Sequence, residues 1–190
     1  MRALIFAAAL LAAGAAQAEP VRYVLDPAHT QVAFSIDRLG FTHVLGQFES
    51  VEGELILDEA NPAASSVRAT IQTASLDAGN ELRDEHVRSD RWLNAAAFPT
   101  IEFRSTQVRL LGDTRAEVTG ELTLLGQTHP VTLDVTLNKI DDGPNGRRNA
   151  GFSATGALLR SQWGFSRGVP NIGDEVRIRI ETLAQTPAAE

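Results

Sequence analysis

The sequence predicts an all-β fold, an antiparallel barrel of about eight strands with a short helical insert near residues 78–97. Three observations carry this. Apolar and polar residues alternate with period two in eight or nine runs, turn residues separate successive runs, and the alternation fails in only one long stretch. Strict alternation marks a strand with one dry face and one wet face, because successive side chains leave a pleated backbone on opposite sides.

Residues 1–18 come first and stand apart. They carry an early positive charge at Arg2, an apolar run from Ala3 to Ala13 and the small-residue ending Ala16-Gln17-Ala18. That order predicts a secretory signal peptide cut after Ala18, and hence an exported protein starting at Glu19. Neither this run nor any other reaches the roughly 20 apolar residues of a spanning helix, so the mature chain is expected to be soluble. With no cysteine in the chain, disulfides, a thiol nucleophile and a lipidated cysteine anchor are excluded. Losing Arg2 moves the formal charge from -7 to -8, which excludes nucleic acid as a partner because that needs clustered Lys and Arg. The remaining chain, about 172 residues, is expected to form one domain, 19–190.

The runs follow in order. "VRYVL" at residues 21–25 is a possible extra strand, and "QVAFSIDR" sets Phe34 and Ile36 on its apolar face. "GQFESVEGELIL", read as a single strand over residues 46–57, places Leu55 there and at roughly 3.3 Å per residue reaches about 40 Å. "SVRATIQT" contributes Val67 and Ile71, "TIEFRSTQVRL" contributes Ile101 and Phe103, and "EVTGELTLL" contributes Leu122 and Leu124. "HPVTLDVTLN" sets Val131, Leu133 and Val135 opposite Thr132, Asp134 and Thr136. "AGFSATGALL" adds Phe152, and "EVRIRIETL" adds Val176 and Ile178. Asn61-Pro62, Gly112-Asp113, Gly126 and "DDGPNGRR" punctuate the runs, so sequence neighbours are expected to pair in a meander. Such a sheet either folds onto a second one or closes, and closure removes sticky edges; the long runs favour a barrel. An apolar inner face suits a hydrocarbon ligand, or it is simply packed core.

The insert, near residues 78–97, reads "AGNELRDEHVRSDRWLNAAA" and is followed by Phe98 and Pro99. Leu82, Val87, Trp92 and Leu93 share no single helical stripe, which predicts two short helical pieces, the second capped by Ser89 or Asp90 and ending before Pro99. Asp84 and Arg88 have the spacing of an exposed i,i+4 pair, and with Arg83 and His86 they would mark a barrel mouth. Trp92, Leu93 or Phe98 would turn inward as an apolar stopper. His86 and Asp90 are four apart, but no third ligand is near, so no metal is expected. His29 and Thr30 are adjacent in a strand-like run and point apart, so with Asp26 they make no nucleophile and base. No phosphate-cradling loop or dinucleotide fingerprint occurs, and neither a catalytic residue nor a cofactor is expected.

In combination, several blocks resemble the YceI family of exported lipid-binding proteins. They are "YVLDPAHTQVAF", Arg83-Asp84-x-His86-x-Arg88-Ser89 before Pro99-x-Ile101-x-Phe103, "GELTLLGQTHPVTLDV" and "RSQWGF", within a stretch from about Tyr23 to about Glu181. The resemblance implies a lipocalin-like eight-stranded barrel in the bacterial periplasm, enclosing an isoprenoid lipid, an isoprenoid quinone or a similar amphiphilic chain, without catalytic machinery. Where many members of the family carry His before the first Leu-Gly pair, this chain has Arg38. Two other readings stay open: an enzyme using His86 with Asp84 or Asp90, and a ligand-free interaction module.

Overall fold

The computed structural model describes residues 19–144 and 146–188; the expected signal peptide, residues 1–18, lies outside them. Strands β1 (Val21–Leu25), β2 (Gln31–Arg38), β3 (Thr42–Phe48), β4 (Val51–Leu57), β5 (Ser66–Gln72) and β6 (Leu76–Asp77) precede helix α1 (Glu81–Arg88). Strands β7 (Thr100–Leu110), β8 (Arg115–Leu124), β9 (Gln127–Asp142), β10 (Arg148–Leu159) and β11 (Ile172–Gln185) follow it. The pairings are antiparallel, and their order runs β1, β4, β5, β7, β8, β9, β10, β11 and back to β1. That ring is a closed eight-stranded barrel.

Three of its staves are each built from two strands. β2 continues β1 along β11, β3 leads into β4, and β6 extends β5 to pair with β3. The run at 46–57, expected as one strand, is therefore broken at Glu49 and Ser50. There the Glu49 N–H donates to Ser75 O (3.1 Å), the Ser50 N–H to Ser75 Oγ (3.1 Å), and Gln72 N–H to Ser50 O (3.0 Å). Neighbouring staves kink together, so the backbone donors stay satisfied across the break.

Register shifts at Ser105/Gln107 and at Gly151/Phe152 re-aim the strands beyond them. Inward positions in β7 pass from Ile101 and Phe103 to Val108 across the first shift, because one extra residue exchanges the two faces.

Two buried clusters sit inside. One, at the end that carries α1, gathers Val51, Ile71, Leu76, Leu93, Ile101 and Trp163. The other, at the far end, gathers Tyr23, Leu25, Leu57, Ala150 and Ala184.

The insert has one helix where two pieces were expected. Asn80 caps α1 by accepting from Arg83 N–H (3.0 Å), and Ser89 ends it, its backbone N–H and its hydroxyl both donating to His86 O. Residues 89–98 are successive turns. Asn94, with φ of 46°, accepts at its carbonyl from Ala97 and Phe98 N–H, and this left-handed residue prevents a second helical turn from propagating.

Candidate ligand-binding site

The inner face of the barrel is the candidate surface for an apolar ligand. Its strands alternate as expected, and the cross-strand pairs bring the apolar positions side by side. Phe34 lies opposite Ile178, Ile36 opposite Val176, Leu55 opposite Val67, and Ile71 opposite Ile101. Phe103 faces Leu122, Val135 faces Ala116 and Ala154, and Phe152 faces Leu137.

Burial divides these residues. Ile71, Leu93, Ile101, Leu122, Leu124, Val131 and Leu133 are buried and pack the insert end. Phe34, Ile36, Leu55, Val67, Phe103, Val135, Phe152, Val176 and Ile178 are only half-buried although they face inward. A side chain inside a closed wall keeps accessible surface only where open space lies beside it.

Glycines explain how that space survives next to large rings. An added Cβ at Gly46 would stand 2.3 Å from the Phe34 ring, at Gly120 2.4 Å from the Phe103 ring, and at Gly156 2.7 Å from Leu133 Cδ2. These large side chains therefore lie flat over cross-strand glycines, against the wall. Polar atoms on this face are few. Buried Thr30 shares a hydroxyl hydrogen bond with Thr182 (2.8 Å), and the buried Tyr23 hydroxyl lies beside Arg148 and Glu59. Burial raises the Tyr23 pKa, with Glu59 nearby adding to the shift.

The insert caps one end by a scheme the spacing did not show. Asp84 and Arg88 do not pair with each other. Asp84, only 5% exposed, accepts from Ala78 N–H (3.0 Å), while Arg88 donates to the carbonyls of Leu76 (3.0 Å) and Ala74 (3.3 Å). Arg83 donates to Ala78 O. Side chains of α1 thus bond backbone groups of the segment 74–78 directly. Of the three apolar candidates, Leu93 enters the core, Phe98 rests against Gly126, and half-buried Trp92 meets His86 and Phe165 edge-on at 5.6 and 5.5 Å. The indole N–H of Trp92 is buried without an acceptor among the described residues. Clefts flank the insert on both sides: about 350 Å³ beside Asp84 and Arg88, and about 580 Å³ beside Trp92, Arg91, Phe165 and Arg167.

Sequence reasoning placed no weight on Arg160 or Trp163, both 1% exposed. Arg160 donates Nε–H to Gly173 O (2.8 Å), Nη1–H to Phe165 O (2.7 Å) and Nη2–H to Ile172 O (2.9 Å), with its guanidinium 4.9 Å over the Phe165 ring. Burial lowers its pKa, and Asp174 partly restores it. Trp163 Nε1–H donates to Leu122 O (3.0 Å), and the ring meets His129 edge-on at 5.1 Å. The loop after β10 is thus fastened to the barrel from within. An arginine and a tryptophan in the run "RSQWGF" were the available signal, but neither lies on an alternating strand.

His29 bonds Asp26 at 2.7 Å on the surface, away from Thr30, and lowers the Asp26 pKa chiefly through that hydrogen bond. No group of three or more His, Cys, Asp or Glu among the described residues could hold a metal ion.

These features define an up-and-down β-barrel with an apolar, partly open interior and one end capped by a polar insert. The chain belongs to the YceI-like domain family, which matches residues 23–184. Protein YceI of Escherichia coli O157:H7 is 37% identical over 177 residues, 93% of this chain and 92% of that protein. Burkholderia cenocepacia BcnA shares the fold with a TM-score of 0.76 and 24% identity, over 84% of this chain and 98% of that one. A polyisoprenoid binding domain from Saccharophagus degradans, implicated in plant cell wall breakdown, shares it with a TM-score of 0.67 and 11% identity, over 89% and 100%.

Proposed function

We propose that this protein is a periplasmic binding or carrier protein that encloses a long apolar chain, an isoprenoid lipid or isoprenoid quinone, in its barrel. The observation that carries the proposal is the half-buried state of inward residues such as Phe34, Val135, Phe152 and Ile178 in a closed wall. Each methylene buried there contributes about 0.8 kcal/mol, so a long chain binds tightly without a strong polar contact. The polyisoprenoid binding ascribed to the S. degradans relative supports the ligand class. Export rests on the signal-like order of residues 1–18. A headgroup fits at the insert end, where the Trp92 indole N–H lacks an acceptor and Arg91 and Arg167 line the same cleft. Binding is favoured over acid-base catalysis because Asp84 is engaged by the Ala78 amide, not by His86.

The test is extraction and mass spectrometry of protein purified from its native host, beside a Val135→Trp variant. Val135 lies between Ala116 and Ala154, so a tryptophan there fills lumen without adding charge. The expected outcome is an isoprenoid-type lipid in the wild type and at least a several-fold smaller amount in the folded variant. Equal lipid in both, or none in either, overturns the proposal.

A further inference from the structure

The hairpin tip between β2 and β3 and the loop between β10 and β11 present similar chemistry side by side. The tip reads Arg38-Leu39-Gly40-Phe41, and the loop reads Arg167-Gly168-Val169. Leu39 N–H donates to Asn171 O (2.9 Å), and Arg38 Nη1–H reaches the same carbonyl (3.4 Å), so the two segments are joined. Phe41 is 90% exposed, Leu39 46% and Val169 42%. Leu45, on the outer face of β3, is 69% exposed and extends the apolar surface toward the insert.

Charge around this patch differs from charge on the wall. Among the described residues most arginines of the wall pair with acids, as in Arg22 and Arg68 with Glu54, Arg109 with Glu117 and Arg179 with Glu181, with Arg104 and Arg115 as isolated exceptions. Arg38 and Arg167 have no carboxylate partner among the described residues, and neighbouring Asp37 is engaged by Gly40 N–H (2.9 Å). The chain as a whole is acidic.

We propose that this double tip docks on an anionic lipid bilayer, with Phe41, Leu39 and Val169 entering the headgroup boundary and Arg38 and Arg167 meeting lipid phosphates. Exposed apolar side chains flanked by two arginines without carboxylate partners match that interface, where lipid phosphates supply the missing anions. The acidic remainder of the molecule is repelled by the same surface, which orients the barrel with this end down. The inference rests on the reading of the protein as a carrier of an apolar chain, for which the bilayer is the source or destination.

Flotation of the mature protein with phosphatidylethanolamine vesicles containing phosphatidylglycerol tests it. Wild type should float with the vesicles, and more weakly as salt is raised. Leu39→Ser with Phe41→Ser should weaken partition about tenfold or more, since a buried Phe alone accounts for that much. Arg38→Gln and Arg167→Gln should each weaken it about fivefold, the worth of one basic residue near such a surface. Arg38, Leu39 and Phe41 line neither the lumen nor the headgroup cleft, so in their variants lipid already held should co-purify undiminished, and Val135→Trp should still float. Flotation with an empty lumen would keep this inference while sinking the carrier reading. Wild type that does not float, serine variants that float equally, or a patch whose loss only dissociates a dimer would overturn it.

Discussion

At the far end of the barrel Ala150 and Ala184 have no exposure, and Tyr23, Leu25 and Leu57 fill the space around them. At the insert end Arg83, Asp84, Arg88 and Arg160 hold loops and a two-residue strand by their backbone groups, around a core that includes Leu93 and Trp163. Close packing of small residues cannot open in part, because any separation leaves a void. Hydrogen bonds to loop carbonyls can open one segment at a time, at free energies below that of global unfolding. On the proposed reading, the difference makes the insert end the expected route of entry for a ligand.

Substitutions at the two ends can break this contrast. The largest effect is expected for Arg160→Met. It removes three charge-assisted hydrogen bonds and leaves the Gly173, Phe165 and Ile172 carbonyls without them, a loss of about 3 kcal/mol or more. Urea unfolding should show a clear fall in midpoint, and an unchanged midpoint would mean that the loop is held by something else.

Next comes overpacking of the far end. Ala184→Leu forces extra volume beside Tyr23 and Leu25 and should cost about 1 to 3 kcal/mol, read as a lowered Tm. Ligand exchange should stay at the wild-type rate, because this end does not open.

Asp84→Ala sharpens the comparison. The expectation of an exposed, weak pair is replaced by a buried acceptor whose loss orphans the Ala78 amide, at about 1 to 3 kcal/mol. Hydrogen exchange should speed at Ala78 and through 74–88 while β9 and β10 stay protected, and ligand release should quicken. Uniform exchange across the barrel would show that the insert is not a separable unit.

The smallest effect is electrostatic and belongs to the far end. Arg148 bonds Glu59 at 2.8 and 2.9 Å and holds its carboxyl below the usual range, mainly through those hydrogen bonds. A lowered carboxyl pKa stabilises the fold fully above the unfolded value and loses that contribution as pH falls through the folded value. Glu59→Gln should therefore lower stability slightly near neutrality and converge on wild type as pH falls, which flattens the acid limb; the loss is small because the pair is part-exposed.

Much of the barrel was legible because period-two alternation reports directly on a wall with one wet face, and Val131, Leu133 and Val135 sit where it placed them. The break at Glu49 and Ser50 left only a small trace, a change of phase between Phe48 and Val51, and its cause is the Ser75 side chain and backbone 25 residues away. The i,i+4 spacing of Asp84 and Arg88 misled because spacing records who can meet on a helix, not which backbone groups nearby need partners. Arg160 was invisible for the same reason: its three acceptors are carbonyls, and carbonyls carry no sequence signature.

The glycines under Phe34, Phe103 and Leu133 give the barrel an adjustable calibre. Strand number and stagger fix the diameter of the backbone ring, yet the free bore inside depends on how flat each large side chain lies. Gaining a side chain at Gly46, Gly120 or Gly156 would tip its partner toward the axis and narrow the bore at that level alone. Exchanging the two members of a pair, large for small across the strands, would restore it. A wall assembled from such complementary pairs can be resized level by level for chains of different thickness while its fold stays the same.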